Sequence, residues 1–153
     1  MDIFVVDIYI ETSLKGPAVR RGAGEWLVEF RLKNGDPETR SGIIYKESTT
    51  ENALVLELIR DAFSILTKTC SVRVNTECEH VLNAMNNHWL AQWMKNGWNN
   101  AKGKPVKNAQ LWQECSEQFG KHFVEFTSGF HSYRMVMQED IKKELERRKT
   151  NVR

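Results

Sequence analysis

The order of segments along the 153 residues predicts an α/β fold: helices flanking a five-stranded mixed sheet of three antiparallel strands followed by parallel additions. Three features carry this expectation. Segments rich in β-branched and aromatic residues fill the chain before residue 47. Apolar residues then recur at helical intervals, and two later strand-like runs are set among helical patterns.

Residues 3–12 (Ile-Phe-Val-Val-Asp-Ile-Tyr-Ile-Glu-Thr) form the first expected strand. Lys15-Gly16-Pro17 and Gly22-Ala23-Gly24 read as a long turn. Trp26, Val28, Phe30 and Leu32 alternate with polar partners, a half-buried strand that ends at the Asn34-Gly35 turn. A third strand around 40–46 completes an antiparallel meander. Ser48-Thr49-Thr50-Glu51 has capping-box spacing, and Leu54, Leu58, Ala62 and Ile65 continue a helix behind it. A fourth strand covers 71–76, with Val72 and Val74 inward. Helices follow from about Glu79 toward Met85 and over 89–95, then a Gly- and Asn-rich loop at 96–104. Pro105 suits the first turn of the next helix, which carries Leu111, Trp112, Cys115 and Phe119. Residues 123–126 form the fifth strand, and 137–149 a charged last helix with Ile141 and Leu145 inward.

Composition narrows the class. With 41% hydrophobic and 27% charged residues, the chain is neither disordered nor built for a bilayer. A length of 153 residues suits one domain, 1–153, large enough to fold without disulfides or a structural metal. No apolar run reaches the roughly 18–20 residues of a membrane span. The opening Met1-Asp2-Ile3-Phe4-Val5-Val6-Asp7 lacks the basic, apolar, small-residue order of a secretory leader. Cys70, Cys78 and Cys115 are odd in number and without C-x-x-C spacing, which argues against a disulfide framework or a zinc site. A cytoplasmic monomer with no membrane association is expected.

The net charge of +2 is uninformative, but its distribution is not. From His80 to Gln113 the chain holds no Asp or Glu, while Lys95, Lys102, Lys104 and Lys107 are interleaved with Trp89, Trp93, Trp98 and Trp112. Such a segment suits a phosphate backbone, because lysines displace condensed counterions and flat rings stack on sugars or bases. The helical spacing of Trp89, Trp93 and Trp112 assigns those three to packing. His80 and His122 read as surface or edge residues, and Cys78 as a small buried filler.

The run Trp89-Leu-Ala-Gln-Trp93-Met-Lys-Asn-Gly97-Trp98, continued by Lys104-Pro105-Val106-Lys107-Asn108-Ala-Gln-Leu111-Trp112-Gln113, closely resembles the basic handle of bacterial type 1 ribonucleases H, here about 88–113. Ile10-Glu11-Thr12-Ser13 sits where that family has Thr-Asp-Gly-Ser. Thr49-Thr50-Glu51-Asn52 matches its Thr-Thr-Asn-Asn, and Val74-Asn75-Thr76-Glu77-Cys78-Glu79-His80-Val81 is similar to its Ser-Thr-Asp-Ser-x-Tyr-Val. The resemblance implies the ribonuclease H fold and an endonuclease that hydrolyses the RNA strand of RNA–DNA hybrids. In such enzymes four carboxylates hold two Mg²⁺ (or Mn²⁺) ions roughly 3.5–4 Å apart.

At the chemistry the sequence departs from that pattern. Glu11 and Glu77 stand where the family has Asp, each reaching one methylene further, and Val55 stands where it has Glu. The fourth acid falls on Glu139 or Asp140: the Ile141 periodicity favours the first, residue chemistry the second. His131, in a shortened loop, takes the proton-shuttling position. Glu51, one turn before Val55, is a replacement ligand if it is not a capping residue. Glu57 is rotated about 200° from Val55 and points away. The resemblance assigns nucleic-acid contacts to Asn52, Lys95, Trp98, Lys102, Lys104 and Lys107. The expectation is a hybrid-binding relative with a degenerate metal site. Its rivals are an active endoribonuclease using the altered carboxylates and a protein-interaction module reusing the fold.

Overall fold

The computed structural model describes residues 3–150. Met1 and Asp2, which open the segment read as leaderless, lie outside the described residues. Strands β1 (Phe4–Thr12), β2 (Arg20–Arg31) and β3 (Pro37–Thr49) form the meander, and helix α1 (Glu51–Ser64) follows. Strand β4 (Cys70–Asn75) is followed by helices α2 (Glu79–Asn86), α3 (Trp89–Lys95) and α4 (Ala109–Phe119), then strand β5 (Phe123–Thr127) and helix α5 (Arg134–Thr150). The sheet runs β3-β2-β1-β4-β5, antiparallel among the first three strands, with β4 parallel to β1 and β5 parallel to β4. This is the expected five-stranded mixed sheet. Among the described residues no helix is long and apolar enough to cross a membrane.

Side chains alternate across β1, and that alternation decides which helix meets which residue. Val6, Ile8 and Ile10 join Leu54, Leu58, Ile59, Ala62 and Phe63 of α1 in the main core. Tyr9 and Glu11 face the other way, toward His131 and α5. Ala23, Leu27, Met137 and Ile141 are buried outside that main cluster, where α5 covers the meander. The glycines before Trp26 serve this packing. Gly22-Ala23-Gly24 is not a turn but part of β2, because the chain there must pass close to other groups. A Cβ on Gly22 would stand 2.5 Å from Leu14 Cγ; one on Gly24 would stand 2.5 Å from Leu58 Cδ1 and 2.9 Å from the Glu11 carbonyl oxygen.

Three other boundaries differ from expectation. Strand β3 continues through Ser48 to Thr49, so no capping box forms. Thr50 caps α1 by accepting from the Ala53 N–H at 3.2 Å, and Glu51 instead accepts from the Gly16 N–H at 3.1 Å. Pro105 does not start a helix. It pairs with Asn99 in an isolated bridge, the Val106 N–H donates to the Trp98 carbonyl at 3.0 Å, and α4 begins at Ala109. Helix α5 begins at Arg134 rather than Met137; exposed Met135 and Val136 gave its first turn no apolar stripe.

Beneath α5 a buried carboxyl, Glu25, meets a half-buried one, Asp140. Glu25, directly across from Glu11 on β2, is 4% exposed and neighbours Asp140. Burial first, then the charge of Asp140 and its hydrogen bond, push the Glu25 carboxyl up from 4.5 to about 8. Its Oε1 finds no hydrogen bond among the described residues.

Two outcomes follow from this packing. Gly24→Ala is expected to destabilise by about 1–3 kcal/mol in urea titrations, since backbone and Leu58 both crowd the new methyl; an unchanged midpoint would contradict the close approach. Glu25 keeps its proton in the folded chain up to about pH 8 but releases it near 4.5 when unfolded. Between those values the folded state binds more protons, so stability falls as pH rises. Glu25→Gln is expected to flatten that slope and to add roughly 1–3 kcal/mol at pH 8, with little gain at pH 4.5. Parallel pH profiles for the two proteins would refute it.

Candidate functional site

The C-terminal ends of β1 and β4 open onto a cleft of about 330 Å³. Glu11 enters from β1, Glu77 from the segment after β4, Val55 and Glu51 from α1, and Arg134 and Gln138 from successive turns of α5. Pairing of β4 with β5, extended by the Thr76 N–H donating to the Thr127 carbonyl at 3.0 Å, fixes Glu77 beside the loop that leads to α5.

Glu11 is 5% exposed, and three side chains present N–H groups to it. His131 Nε2 lies 2.8 Å and Arg134 Nε 3.2 Å from its Oε2, while Gln138 Nε2 donates to Oε1 at 2.7 Å. A carboxylate acceptor requires the imidazole proton on Nε2, and Nδ1 makes no hydrogen bond among the described residues. His131 is itself buried and stacks on Tyr9, with centroids 4.4 Å apart. Glu77 is more open. Its Oε1 accepts from the Gly129 N–H and from Arg134 Nη2, each at 2.9 Å. The Gly129 bond, with help from Arg134, holds its carboxyl below the ordinary value. One guanidinium thus bridges the two acids, braced by the Gly129 carbonyl at 2.9 Å and lying over the Phe130 ring.

The residues expected in the site are therefore only partly gathered. Glu11 and Glu77 share the cleft, whereas His131 touches Glu11 from behind, buried against Tyr9 and outside the cleft lining; Glu51 stands at the cleft margin, tied to Gly16; and Val55, 1% exposed, forms apolar wall. Arg134 ties Glu11 to Glu77. Neither Glu139 nor Asp140 lines the cleft. Glu139 is exposed and Asp140 lies against Glu25, because the α5 face that reaches Glu11 carries Arg134 and Gln138, four residues apart. Glu57 points away, as expected, and pairs with Lys46 at 3.1 Å. Sequence reasoning missed Arg134 and Gln138. Their i,i+4 spacing, counted from His131, was the available signal.

Divalent ions need free, hard oxygen donors. Here three N–H groups engage Glu11, Oε1 of Glu77 is bonded to a guanidinium, and Val55 offers no oxygen. Among the described residues no group of three or more His, Cys, Asp or Glu side chains is arranged to hold a metal ion. The donor set does not fit the two-ion cluster that the resemblance implies.

A second cavity, of about 490 Å³, shares Lys15, Glu51 and Glu77 with the cleft; a third, of about 310 Å³, shares Asn52 and His80 with the second. Lys104 and Lys107 line the third. The three form one groove from Glu11 to the lysine-rich loop. Asn52 sits along it and accepts from Cys78 Sγ at 3.2 Å. Lys95 and Lys102 are exposed but outside these cavities, and Trp98 packs against the core with a positive φ of 65°. Trp112 is fully buried, while Trp89 and Trp93 are half-buried around His80. His122 has a structural partner, its Nδ1 accepting from the Cys70 N–H at 3.0 Å.

The RNase H family profile matches residues 5–128, ending before His131 and α5. The ribonuclease H of Clostridium botulinum is 40% identical over 121 residues, covering 79% of each chain. That of Bordetella pertussis is 32% identical over 121 residues, covering 79% of this chain and 74% of its own. Among solved structures, LC9-RNase H1, a type 1 RNase H with the type 2 active-site motif, superposes with a TM-score of 0.71 at 24% identity, over 86% of this chain and 65% of that one. The N-terminal RNase H domain of Rv2228c from Mycobacterium tuberculosis gives 0.68 at 9% identity, over 98% and 99%. The family generally uses divalent metal ions. With its sheet order, its cleft and these relatives in agreement, the chain belongs to the ribonuclease H family.

Proposed function

We propose that this chain binds RNA–DNA hybrid duplexes along the groove between Glu11 and the lysine-rich loop, with cleavage of the RNA strand weakened or lost. The continuity of that groove carries the reading: Lys104, Lys107 and Asn52 line the same track that ends at the family's carboxylate position. Lysines set there neutralise a phosphate backbone and release its counterions. The foamy viral protease–reverse transcriptase, a structural relative with a TM-score of 0.66 at 16% identity over 90% of this chain and 19% of that one, was solved in complex with RNA/DNA hybrid.

Weak cleavage follows from the donor set. Glu11 and Glu77 reach further than Asp, Val55 supplies no charge, and Arg134 and Gln138 fill the approach from α5. In chemistry governed by positioning, about 1 Å of misplacement costs roughly 10²-fold. The segment 88–113 acts in this reading as a handle, gripping backbone beyond the cleft within a single domain.

The test is fluorescence anisotropy with a labelled hybrid across a salt series, alongside a cleavage assay in Mg²⁺. Lys104→Ala with Lys107→Ala is expected to weaken binding and to flatten the slope of log K against log salt by about 0.9 per lost contact. Lys102→Ala, outside the groove, is expected to change it less. Cleavage is expected roughly 10²-fold or more below that of an unmodified relative with four acids. Unchanged affinity in the double variant would exclude the groove. Full-rate cleavage would favour the active endoribonuclease instead.

A further inference from the structure

The cleft holds a cation of its own. Arg134 spans from Glu11 to Glu77 with one planar group: Nε stands 3.2 Å from Glu11 Oε2 and Nη2 2.9 Å from Glu77 Oε1. Every other side chain that reaches Glu11 also offers it an N–H rather than an oxygen donor, His131 at 2.8 Å and Gln138 at 2.7 Å. Such a lining suits a carboxylate paired inside the chain and opposes one shared with a metal ion, which would meet N–H groups around Glu11.

The exchange of Asp for Glu at both positions has a purpose in this geometry. The extra methylene on each acid lets the two carboxylates reach adjacent nitrogens, Nε and Nη2, of one planar guanidinium. Val55 adds no further carboxylate to this wall of the cleft. The Gly129 carbonyl at 2.9 Å and the Phe130 ring hold the fork in place.

We propose that Arg134 is a tethered cation that takes the divalent-ion seat between Glu11 and Glu77, so that the cleft excludes Mg²⁺ and Mn²⁺ and receives nucleic acid without them. The metal-exclusion half stands independently; the nucleic-acid half rests on the hybrid-binding reading above.

Calorimetric titration with Mn²⁺ alone tests the first half. The unmodified protein is expected to show no saturable binding in the millimolar range. Arg134→Gln, which removes the cation from both acids, is expected to bind at least about tenfold more tightly, and adding Glu11→Gln to it is expected to abolish the gain. Equal Mn²⁺ affinity in the unmodified protein and Arg134→Gln would overturn the proposal. If Arg134→Gln fails to fold, paramagnetic broadening by Mn²⁺ in the unmodified protein decides. Selective loss of the Gly129 amide and Arg134 Nε–H signals counts against the tethered cation, and their persistence supports it. For the second half, hybrid affinity is compared in Mg²⁺ and in chelator at matched ionic strength. Equal affinities are expected, and a marked fall in chelator would overturn divalent independence. Absence of hybrid binding in both buffers would defeat the hybrid-binding reading while leaving the Mn²⁺ result standing.

Discussion

The Glu11 carboxylate is the joint on which the functional end of the molecule turns. It sits at the end of a strand with a neighbour on each side, almost out of reach of water, and three side chains from the segment after β5 converge on it. A buried carboxylate left unpaired is strongly disfavoured. The chain meets that requirement by bringing the start of α5 down onto the sheet edge. His131, Arg134 and Gln138 thereby do two things at once: they satisfy the charge, and they dock α5 over Leu27 and Ala23. Arg134 extends the joint to Glu77, so the ends of β1 and β4 are coupled by a single guanidinium.

The same geometry gives the acids beneath α5 different surroundings. Glu11 is surrounded by N–H donors, whereas Glu25, its partner across the strand pair, faces another acid, Asp140, and holds its proton up to about pH 8. Two carboxyls at neighbouring positions on one sheet face are thus separated by the residues α5 lays over them. Glu77, half open to solvent, is held ionised chiefly by a backbone N–H.

Much of the fold was legible in the sequence because its signals were local. Alternation in β1 and β2 and the apolar positions of α1 produced the right elements in the right order. What failed depended on contacts between distant segments. Gly22 and Gly24 looked like turn residues, yet their missing side chains make room for Leu14 and Leu58. Pro105 looked like a helix start until its bridge with Asn99 was seen. At the site, Glu11, Glu77, Val55 and His131 could be found through their register with a family pattern. Arg134 and Gln138 could not: the first turn of α5 exposes Met135 and Val136, so apolar periodicity began a turn late and pointed to Glu139 or Asp140. The family profile also ends before that helix.

The central claim is that a side-chain cation stands in the seat that the family resemblance assigns to metal ions. Anomalous diffraction from crystals of the unmodified protein soaked in Mn²⁺ tests it most directly, because it reports ion position without relying on activity. The account predicts guanidinium density between Glu11 and Glu77 and no anomalous peak there. Two manganese peaks about 3.5–4 Å apart beside those acids, with Arg134 displaced from the cleft, would contradict it.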